Sequence, residues 1–158
     1  MEKSGEQPPG TGSGVSSLHW ESIFQAIGQP TLILDRDHTV IAANQAALRA
    51  VGLGRADGML GRKCYRFFHG PDADGPPAGC PLQQLLQTGQ LETTEMELQA
   101  LGGTYLVSTT PVLDGDGALD KVIHIATDIT AHKRAERERE NLEIQLRQSQ
   151  KMEAIGRL

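Results

Sequence analysis

The chain ends with an apolar, strand-like segment that leads directly into a long charged segment, and this junction constrains the fold more than any other feature. Residues 121–127 have the sequence Lys-Val-Ile-His-Ile-Ala-Thr, which is typical of a buried strand. The tripeptide Asp128-Ile129-Thr130 follows, and neither glycine nor proline then occurs before Gly156. A strand that continues into an unbroken helix connects a folded unit to a partner beyond it. We therefore interpret residues 121–158 as an output end and the preceding residues as the unit that controls it.

The composition is that of one globular domain with extensions. Of the 158 residues, 38% are hydrophobic and 22% are charged, which suffices for a core, whereas 18 glycines and 8 prolines predict many turns. The net charge of -5 argues against a nucleic-acid partner, which would need a basic face. No apolar run reaches the roughly 18 residues that span a bilayer, and no signal-peptide core is found. We therefore expect no membrane segment and, with only two cysteines, a reducing cytoplasmic location.

The chain divides into three parts. Residues 1–17 contain almost no apolar side chain, so we expect a disordered leader. Residues 18–130 carry the apolar periodicity of a folded domain, and residues 131–158 form the charged helix.

The first half of the domain predicts a hairpin and a capped helix. Two apolar, β-branched runs at residues 31–35 and 39–43 are separated by the polar turn Arg36-Asp37-His38, in which we expect His38 to be solvated. Asn44 stands directly before an alanine- and leucine-rich segment and is expected to cap that helix.

The second half predicts two more helices and three strands. Residues 62–69 form a helical stretch, and Pro81 begins another helix whose apolar face contains Leu82, Leu85 and Leu86. Strands follow at residues 91–101, 104–112 and 121–127. Two strands, three helices and three strands in this order indicate an α+β fold with one antiparallel sheet and helices on one side.

Three segments together resemble the opening and closing strands of a PAS domain. They are Pro-Thr-Leu-Ile-Leu-Asp at residues 30–35, Val-Ile-Ala-Ala-Asn-Gln-Ala-Ala at residues 40–47, and Ile-His-Ile-Ala-Thr-Asp-Ile-Thr at residues 123–130. The resemblance covers residues 18–130. It implies a PAS fold, in which a five-stranded antiparallel sheet and flanking helices enclose a pocket, followed by a long coiled-coil helix that signals in a parallel homodimer.

The last ten residues, 149–158, resemble the start of the dimerisation and phosphoacceptor helix of sensor histidine kinases. The chain ends before the acceptor histidine of that family, so we expect no enzymatic activity in it. The resemblance implies that the parent protein is an ATP-dependent protein histidine kinase. Its partners would be the downstream kinase domains and a response regulator.

Cys64, His69 and Cys80 are candidate ligands for a metal ion or participants in redox chemistry, because thiol and imidazole groups bind soft metals. A subset of PAS domains has a similar stretch with a further cysteine where this chain has Pro77. The alternative is that both cysteines are inert. Haem on His69 is less favoured, and flavin is less favoured because the sequence around the reactive cysteine of light-sensing PAS domains is absent. The cofactor is left unknown.

A pocket is expected around Tyr65, Phe68 and His124. His124 shares a face of its strand with Val122 and Ala126. It is interpreted either as a pocket group that titrates near neutral pH or as a hydrogen-bonded sheet residue.

Asp128, Ile129 and Thr130 are expected to transmit the signal to the helix. Thr130 is predicted to be its N-cap residue, and Asp128 adds a negative charge that the helix dipole favours. A dimer seam is predicted, with a shift of phase along the helix; the alternative is a helix that packs back on its own sheet. The predicted seam residues are Ala135, Leu142, Leu146, Met152 and Ile155.

Two rival functions stay open at this point. The first is a structural PAS dimerisation module without a ligand. The second is a thiol or metal redox switch that uses Cys64, His69 and Cys80.

Overall fold

The computed structural model of the chain describes residues 14–157. Residues 1–13 of the predicted leader lie outside the described residues. The remaining residues of the predicted leader, 14–17, belong to the first helix. A short 3-10 turn occurs at Ala56–Gly58. The helices and strands in chain order are α1 (Gly14–Ala26), β1 (Thr31–Leu34), β2 (Val40–Ala43), α2 (Gln45–Ala50), α3 (Cys64–Phe68), α4 (Pro81–Thr88), β3 (Glu92–Leu98), β4 (Gly103–Leu113), β5 (Leu119–Asp128) and α5 (Thr130–Gly156).

The five strands form one antiparallel sheet in the order β2-β1-β5-β4-β3. The last strand along the chain, β5, therefore lies in the centre and pairs with both β1 and β4. The predicted α+β class, the PAS fold with its five-stranded antiparallel sheet, and the long C-terminal helix are confirmed.

One face of the sheet forms the core together with the short helices. Along β5 the buried residues alternate with half-buried ones, so that Val122, His124 and Ala126 face inward together. Burial of each large apolar side chain stabilises the fold by about 1.5–3 kcal/mol. The core includes Leu32, Leu34, Val40, Met59, Phe68, Leu82, Leu85, Leu98 and Val107.

Asn44 ties the opening hairpin to its neighbours. Its Oδ1 atom accepts hydrogen bonds from the backbone N–H groups of Ala47 at 2.9 Å and Thr31 at 3.0 Å. Its amide group donates to the carbonyl oxygens of Ile27 and Gln29, both at 2.9 Å. The predicted cap is confirmed, and the same side chain also fixes the entry into β1.

Helix α4 begins at Pro81 and ends at Gly89, whose φ of 71° gives the left-handed turn that glycine adopts readily. Leu82 and Leu85 are buried as predicted. Leu86 is 41% exposed, so its assignment to the buried face was wrong. A helix of 8 residues presents only one narrow side to the sheet, and Leu86 lies at the edge of that side.

Helix α5 contains 27 residues, which corresponds to a length of about 40 Å. None of its residues is buried, and it contacts the sheet through β4. Four of the predicted seam residues are exposed, so neither the sheet nor a second helix covers them in the single chain; they are Leu142, Leu146, Met152 and Ile155. Within residues 14–157, no helix combines the length and the hydropathy needed to cross a membrane.

Candidate functional site

An interior cavity lies between helices α3 and α4 and the inner face of the sheet. Its volume of about 20 Å³ accommodates roughly one water molecule. Every residue predicted for the pocket or for metal or redox chemistry lines it. These residues are Cys64, Tyr65, Phe68, His69, Cys80 and His124, and His38, Pro77, Pro81, Leu82, Met96, Leu98 and Val107 complete the lining.

His124 lies against the ring of Phe68, with ring centroids 5.4 Å apart and an interplanar angle of 9°. The side chain is buried, and its Nδ1 atom has no hydrogen-bond partner. Burial lowers the pKa of His124 to about 4, with small further contributions from His69 and His38. The residue therefore lines the cavity in its neutral form, so titration near neutral pH is contradicted. The alternative of a fully hydrogen-bonded sheet residue does not hold for Nδ1 either.

His38, which was predicted to be solvated, is only 7% exposed and lines the same cavity. The carboxylate of Asp35 accepts the backbone N–H groups of Asp37 and Thr39, both at 2.8 Å, and thereby closes the turn. His38 adopts a φ of 67° in that turn. With this backbone conformation the His38 ring lies in the interior, at the wall of the cavity.

The His38 ring meets one of the two cysteines. Its Nε2 atom lies 3.7 Å from the Sγ atom of Cys80, within hydrogen-bonding distance for sulfur. The carbonyl oxygen of His38 accepts the backbone N–H of Cys64 at 2.9 Å. Sequence reasoning missed this residue; the signal that could have found it is the frequency with which histidine tolerates the left-handed conformation.

Both cysteines are buried and free. Burial and, to a lesser degree, the nearby Cys80 raise the pKa of the Cys64 thiol to about 12, so Cys64 remains a thiol at neutral pH. Cys64 is the first residue of α3, and Cys80 precedes α4. The loop between these two helices thus brings thiols that are distant in sequence to one cavity.

The three candidate metal ligands share this cavity but do not form a metal site. Among residues 14–157, no group of three or more His, Cys, Asp or Glu side chains is arranged to hold a metal ion. A flavin or haem does not fit either, because sites for such groups have volumes on the order of several hundred Å³. The chemistry of the cavity therefore depends on imidazole and thiol groups.

A second, open depression of about 610 Å³ lies on the outer side of α3. Its walls include Arg62, Lys63 and Arg66, and the Lys63 amine already donates to the carbonyl of Asp37 at 2.7 Å. Although this depression is larger, the buried histidine and cysteine side chains converge on the interior cavity, which is the candidate sensor site.

The junction between β5 and α5 is held by four residues. The hydroxyl of Thr130 accepts the backbone N–H of Thr104 at 3.0 Å and donates to the Thr104 carbonyl at 3.3 Å. The carboxylate of Asp128 accepts the Thr130 backbone N–H at 2.9 Å and also a hydrogen bond from the Tyr105 hydroxyl. Hydrogen bonds from Thr130 lower the pKa of Asp128. Two of the residues that were expected to transmit the signal, Asp128 and Thr130, therefore attach the start of the helix to β4.

The predicted N-cap role of Thr130 was wrong. The cap position is Ile129, without a side-chain hydrogen bond, and its carbonyl accepts the backbone N–H of Lys133 at 2.9 Å. The Thr130 hydroxyl is not available to the helix because Thr104 of the neighbouring strand uses it. A tertiary contact thus replaces the local one.

A further attachment lies one turn into the helix. The amine of Lys133 pairs with the carboxylates of Glu95 on β3, at 2.7 Å, and of Glu136 on its own helix, at 3.3 Å. Helix α5 is thus connected to the two strands at one edge of the sheet.

The family model described as the PAS fold matches residues 24–134, which is more than half of the chain. The chain belongs to the PAS family. As a PAS domain followed by a long helix, it is a sensory module of the kind used in signal transduction. The search of curated proteins finds no match.

Solved structures resemble this PAS domain at low sequence identity. An RNA-binding light-oxygen-voltage receptor has a TM-score of 0.67 and 21% identity over 92% of this chain and 42% of its own. VqmA bound to DPO has a TM-score of 0.52 and 21% identity over 70% of this chain and 57% of its own. The PAS domain of nitrogen regulation protein NR(II) from Vibrio parahaemolyticus has a TM-score of 0.54 and 20% identity over 69% of this chain and 96% of its own. At these identities the similarity shows the fold alone.

Proposed function

We propose that this PAS module is the sensor and signalling helix of a two-component histidine kinase. A change at the interior cavity is transmitted through Asp128, Ile129 and Thr130 to a dimeric coiled coil formed by α5. The observation that carries the proposal is the pair of hydrogen bonds between Thr130 and Thr104, because it makes the position of the helix depend on the sheet.

The path from the cavity to the helix is short. His124 and Val107 line the cavity and belong to β5 and β4, which pair with each other over nearly their whole length. At the end of this pairing, Tyr105 lies opposite Asp128. A displacement of either strand at the cavity therefore reaches the junction through continuous backbone hydrogen bonds, without a flexible loop in between.

A coiled coil is supported by the apolar side chains on α5. Leu142 and Leu146 are 58% and 60% exposed, and Met152 and Ile155 are exposed as well. Ala135 and Leu146 lie within about 40° of Leu142 around the helix axis, whereas Met152 and Ile155 require a shift of phase. A partner helix would cover this stripe, as in a two-stranded coiled coil.

The kinase context is supported by residues 149–158, which resemble the start of the dimerisation helix of that family. The parent kinase domains, the response regulator and the cytoplasmic location all belong to this proposal. The structural neighbours include a receptor and a nitrogen regulation protein, which agrees with a regulatory role.

A fusion protein tests the proposal. Residues 1–158 are joined in register to the kinase core of a characterised histidine kinase, and spacers of increasing length are inserted after Gln148. Transmission through a coiled coil predicts that autophosphorylation varies with spacer length with a period of about seven residues. Activity that is independent of spacer length would contradict the proposal.

A structural dimerisation module without a ligand is the second candidate. The small volume of the cavity favours it, because about 20 Å³ leaves space for little more than one water molecule. In this case, a screen of small molecules against dialysed protein would give no shift of the melting temperature while dimerisation persists.

A further inference from the structure

We propose that Cys80 is a site of oxidation by hydrogen peroxide, with His38 as its base and Cys64 as the thiol that resolves the product to a disulfide. This inference depends on the cavity alone and would stand even if the chain does not serve a kinase.

The contact between His38 and Cys80 provides the base. The His38 Nε2 atom lies 3.7 Å from the Cys80 Sγ atom, and both side chains are buried. Burial, with a smaller contribution from Lys63, lowers the pKa of His38, while Asp35 and Asp37 partly oppose the shift. The ring is therefore neutral at neutral pH and can accept the thiol proton when sulfur attacks.

The backbone of His38 is held in an uncommon conformation. Its φ of 67° lies in the left-handed region, and within residues 14–157 no other non-glycine residue has a positive φ. Such a conformation is unfavourable in a non-glycine residue and is concentrated at functional sites. The backbone N–H groups of Asp37 and Thr39 donate to the Asp35 carboxylate and hold the turn, and the turn places the His38 ring next to the sulfur.

The cavity wall contains a second group that points to a small polar ligand. The Nδ1 atom of His124 is buried without a partner, which is costly unless a guest forms a hydrogen bond with it. A hydroxyl group of hydrogen peroxide supplies such a bond. With a volume of about 20 Å³, the cavity selects the smallest hydroperoxide and excludes those with organic substituents.

The reaction consumes one peroxide and both thiols. The Cys80 sulfur attacks one peroxide oxygen, the O–O bond breaks, and the thiol proton passes through His38 to the departing hydroxide, which gives Cys80 sulfenic acid and one water. The Cys64 sulfur then attacks the Cys80 sulfur, the S–O bond breaks, and the Cys64 proton leaves with the hydroxyl as a second water. Two thiols are oxidised to one disulfide, and peroxide is reduced to two waters.

The environments of the cysteines fix the order of these steps. Cys64 has a pKa of about 12 and contacts His38 through its backbone N–H, so its thiol is a poor first nucleophile. A disulfide would link the start of α3 to the start of α4, and α4 packs on β3 and β4. Formation of the disulfide would therefore displace α4 against β4, the strand whose Thr104 binds Thr130.

Intact mass spectrometry of the full chain tests the inference. Reduced protein is treated with hydrogen peroxide, quenched and alkylated under denaturing conditions. We expect loss of the two thiol hydrogens within one chain and no alkylation. Cys64→Ser is expected to stop at a Cys80 sulfenic acid that dimedone traps, and Cys80→Ser is expected to leave Cys64 reduced. The proposal would be overturned if Cys64 in the Cys80→Ser variant were oxidised as fast as Cys80 in the wild type. It would also be overturned if both thiols of the wild type persisted after treatment with peroxide.

The base is tested with His38→Asn, because asparagine tolerates a positive φ and the turn is retained. We expect oxidation to be slower by roughly 100-fold, with recovery at higher pH as hydroxide replaces the imidazole. His132→Asn, on the exposed part of α5, is the matched control and should react like the wild type. An unchanged rate in His38→Asn, or a slow rate that pH does not restore, would exclude His38 as the base.

The cavity is tested with tert-butyl hydroperoxide. We expect the ratio of the hydrogen peroxide rate to the tert-butyl hydroperoxide rate to be at least tenfold larger in the folded chain than in the unfolded chain. The same ratio in both states would mean that oxidation does not take place inside the cavity, and would contradict that part of the proposal.

Discussion

The side-chain hydroxyl of Thr130 accepts the backbone N–H of Thr104 at 3.0 Å, and this bond joins the first residue of the output helix to the neighbouring strand. The contact is possible because the residue before Thr104 is Gly103. A Cβ atom on Gly103 would overlap with the Thr130 hydroxyl oxygen. The absence of a side chain at Gly103 thus leaves space for the Thr130 hydroxyl to reach the strand.

Gly103→Ala is predicted to displace the Thr130 hydroxyl and to loosen the start of α5. Because one hydrogen bond is lost and a steric overlap is created, we expect the free energy of unfolding to fall by about 1–3 kcal/mol. Thr130→Ala removes the oxygen that would overlap, so Gly103→Ala should cost much less in that background. A double-mutant cycle by urea denaturation measures this coupling, and additive effects would contradict the contact.

Much of this architecture follows from local sequence patterns. Asn44 before a helix-forming segment, Pro81 at a first helical position and the alternating apolar residues of the last strand each predict the element that the structure contains. In these cases the residues that form the element also determine its burial, so local reasoning suffices.

The site was less predictable because its residues depend on distant neighbours. His38 lies in a polar turn, and only the positive φ and the approach of Cys80 place its ring in the interior. Thr130 has the sequence context of an N-cap, yet Thr104, 26 residues earlier, uses its hydroxyl. Local propensity is overruled where a strand from elsewhere supplies the better partner.

Asn44→Ala is predicted to destabilise the domain strongly. It would leave the backbone N–H groups of Thr31 and Ala47 without their buried acceptor, at about 1–3 kcal/mol each. The expected loss in the free energy of unfolding is therefore about 3–5 kcal/mol. Asn141→Ala, on the exposed face of α5, is the control and should change it by less than about 0.5 kcal/mol. A small effect at Asn44 would show that water or another group replaces the amide.

The stability of the domain is predicted to fall as the pH decreases from about 6.5 to about 4. The unfolded chain protonates His124 near its ordinary pKa of 6.5, whereas the folded chain protonates it only near a pKa of about 4. Across this interval the unfolded state binds the additional proton, so unfolding becomes more favourable by about 3 kcal/mol. Urea denaturation at a series of pH values measures this change.

His124→Phe should remove the contribution of His124 to the pH dependence of the free energy of unfolding. A smaller dependence should remain, because burial also lowers the pKa values of His38 and His69, which line the same cavity. His132→Phe, at an exposed position of α5, is the matched control and should retain the dependence of the wild type. If His124→Phe also retained it in full, a different group would be responsible for the acid sensitivity.

Substitution of the apolar stripe on α5 is predicted to dissociate a dimer of the chain. Leu142 and Leu146 lie within about 40° of each other around the helix axis, whereas Ile144 lies about 200° from Leu142, on the opposite side. All three are more than half exposed in the single chain. The double variant Leu142→Glu, Leu146→Glu places two carboxylates in the proposed seam of each chain. These carboxylates repel those of the partner chain. Analytical ultracentrifugation at several concentrations should therefore find a dimer for the wild type and for Ile144→Glu, but a monomer for the double variant.

Ile144→Glu is the control because it changes the same kind of exposed side chain on the opposite side of the helix. A loss of the dimer in this variant as well would show that hydrophobicity in general, and not this face, causes association. A wild-type chain that is monomeric at every concentration would remove the coiled coil from the proposed mechanism.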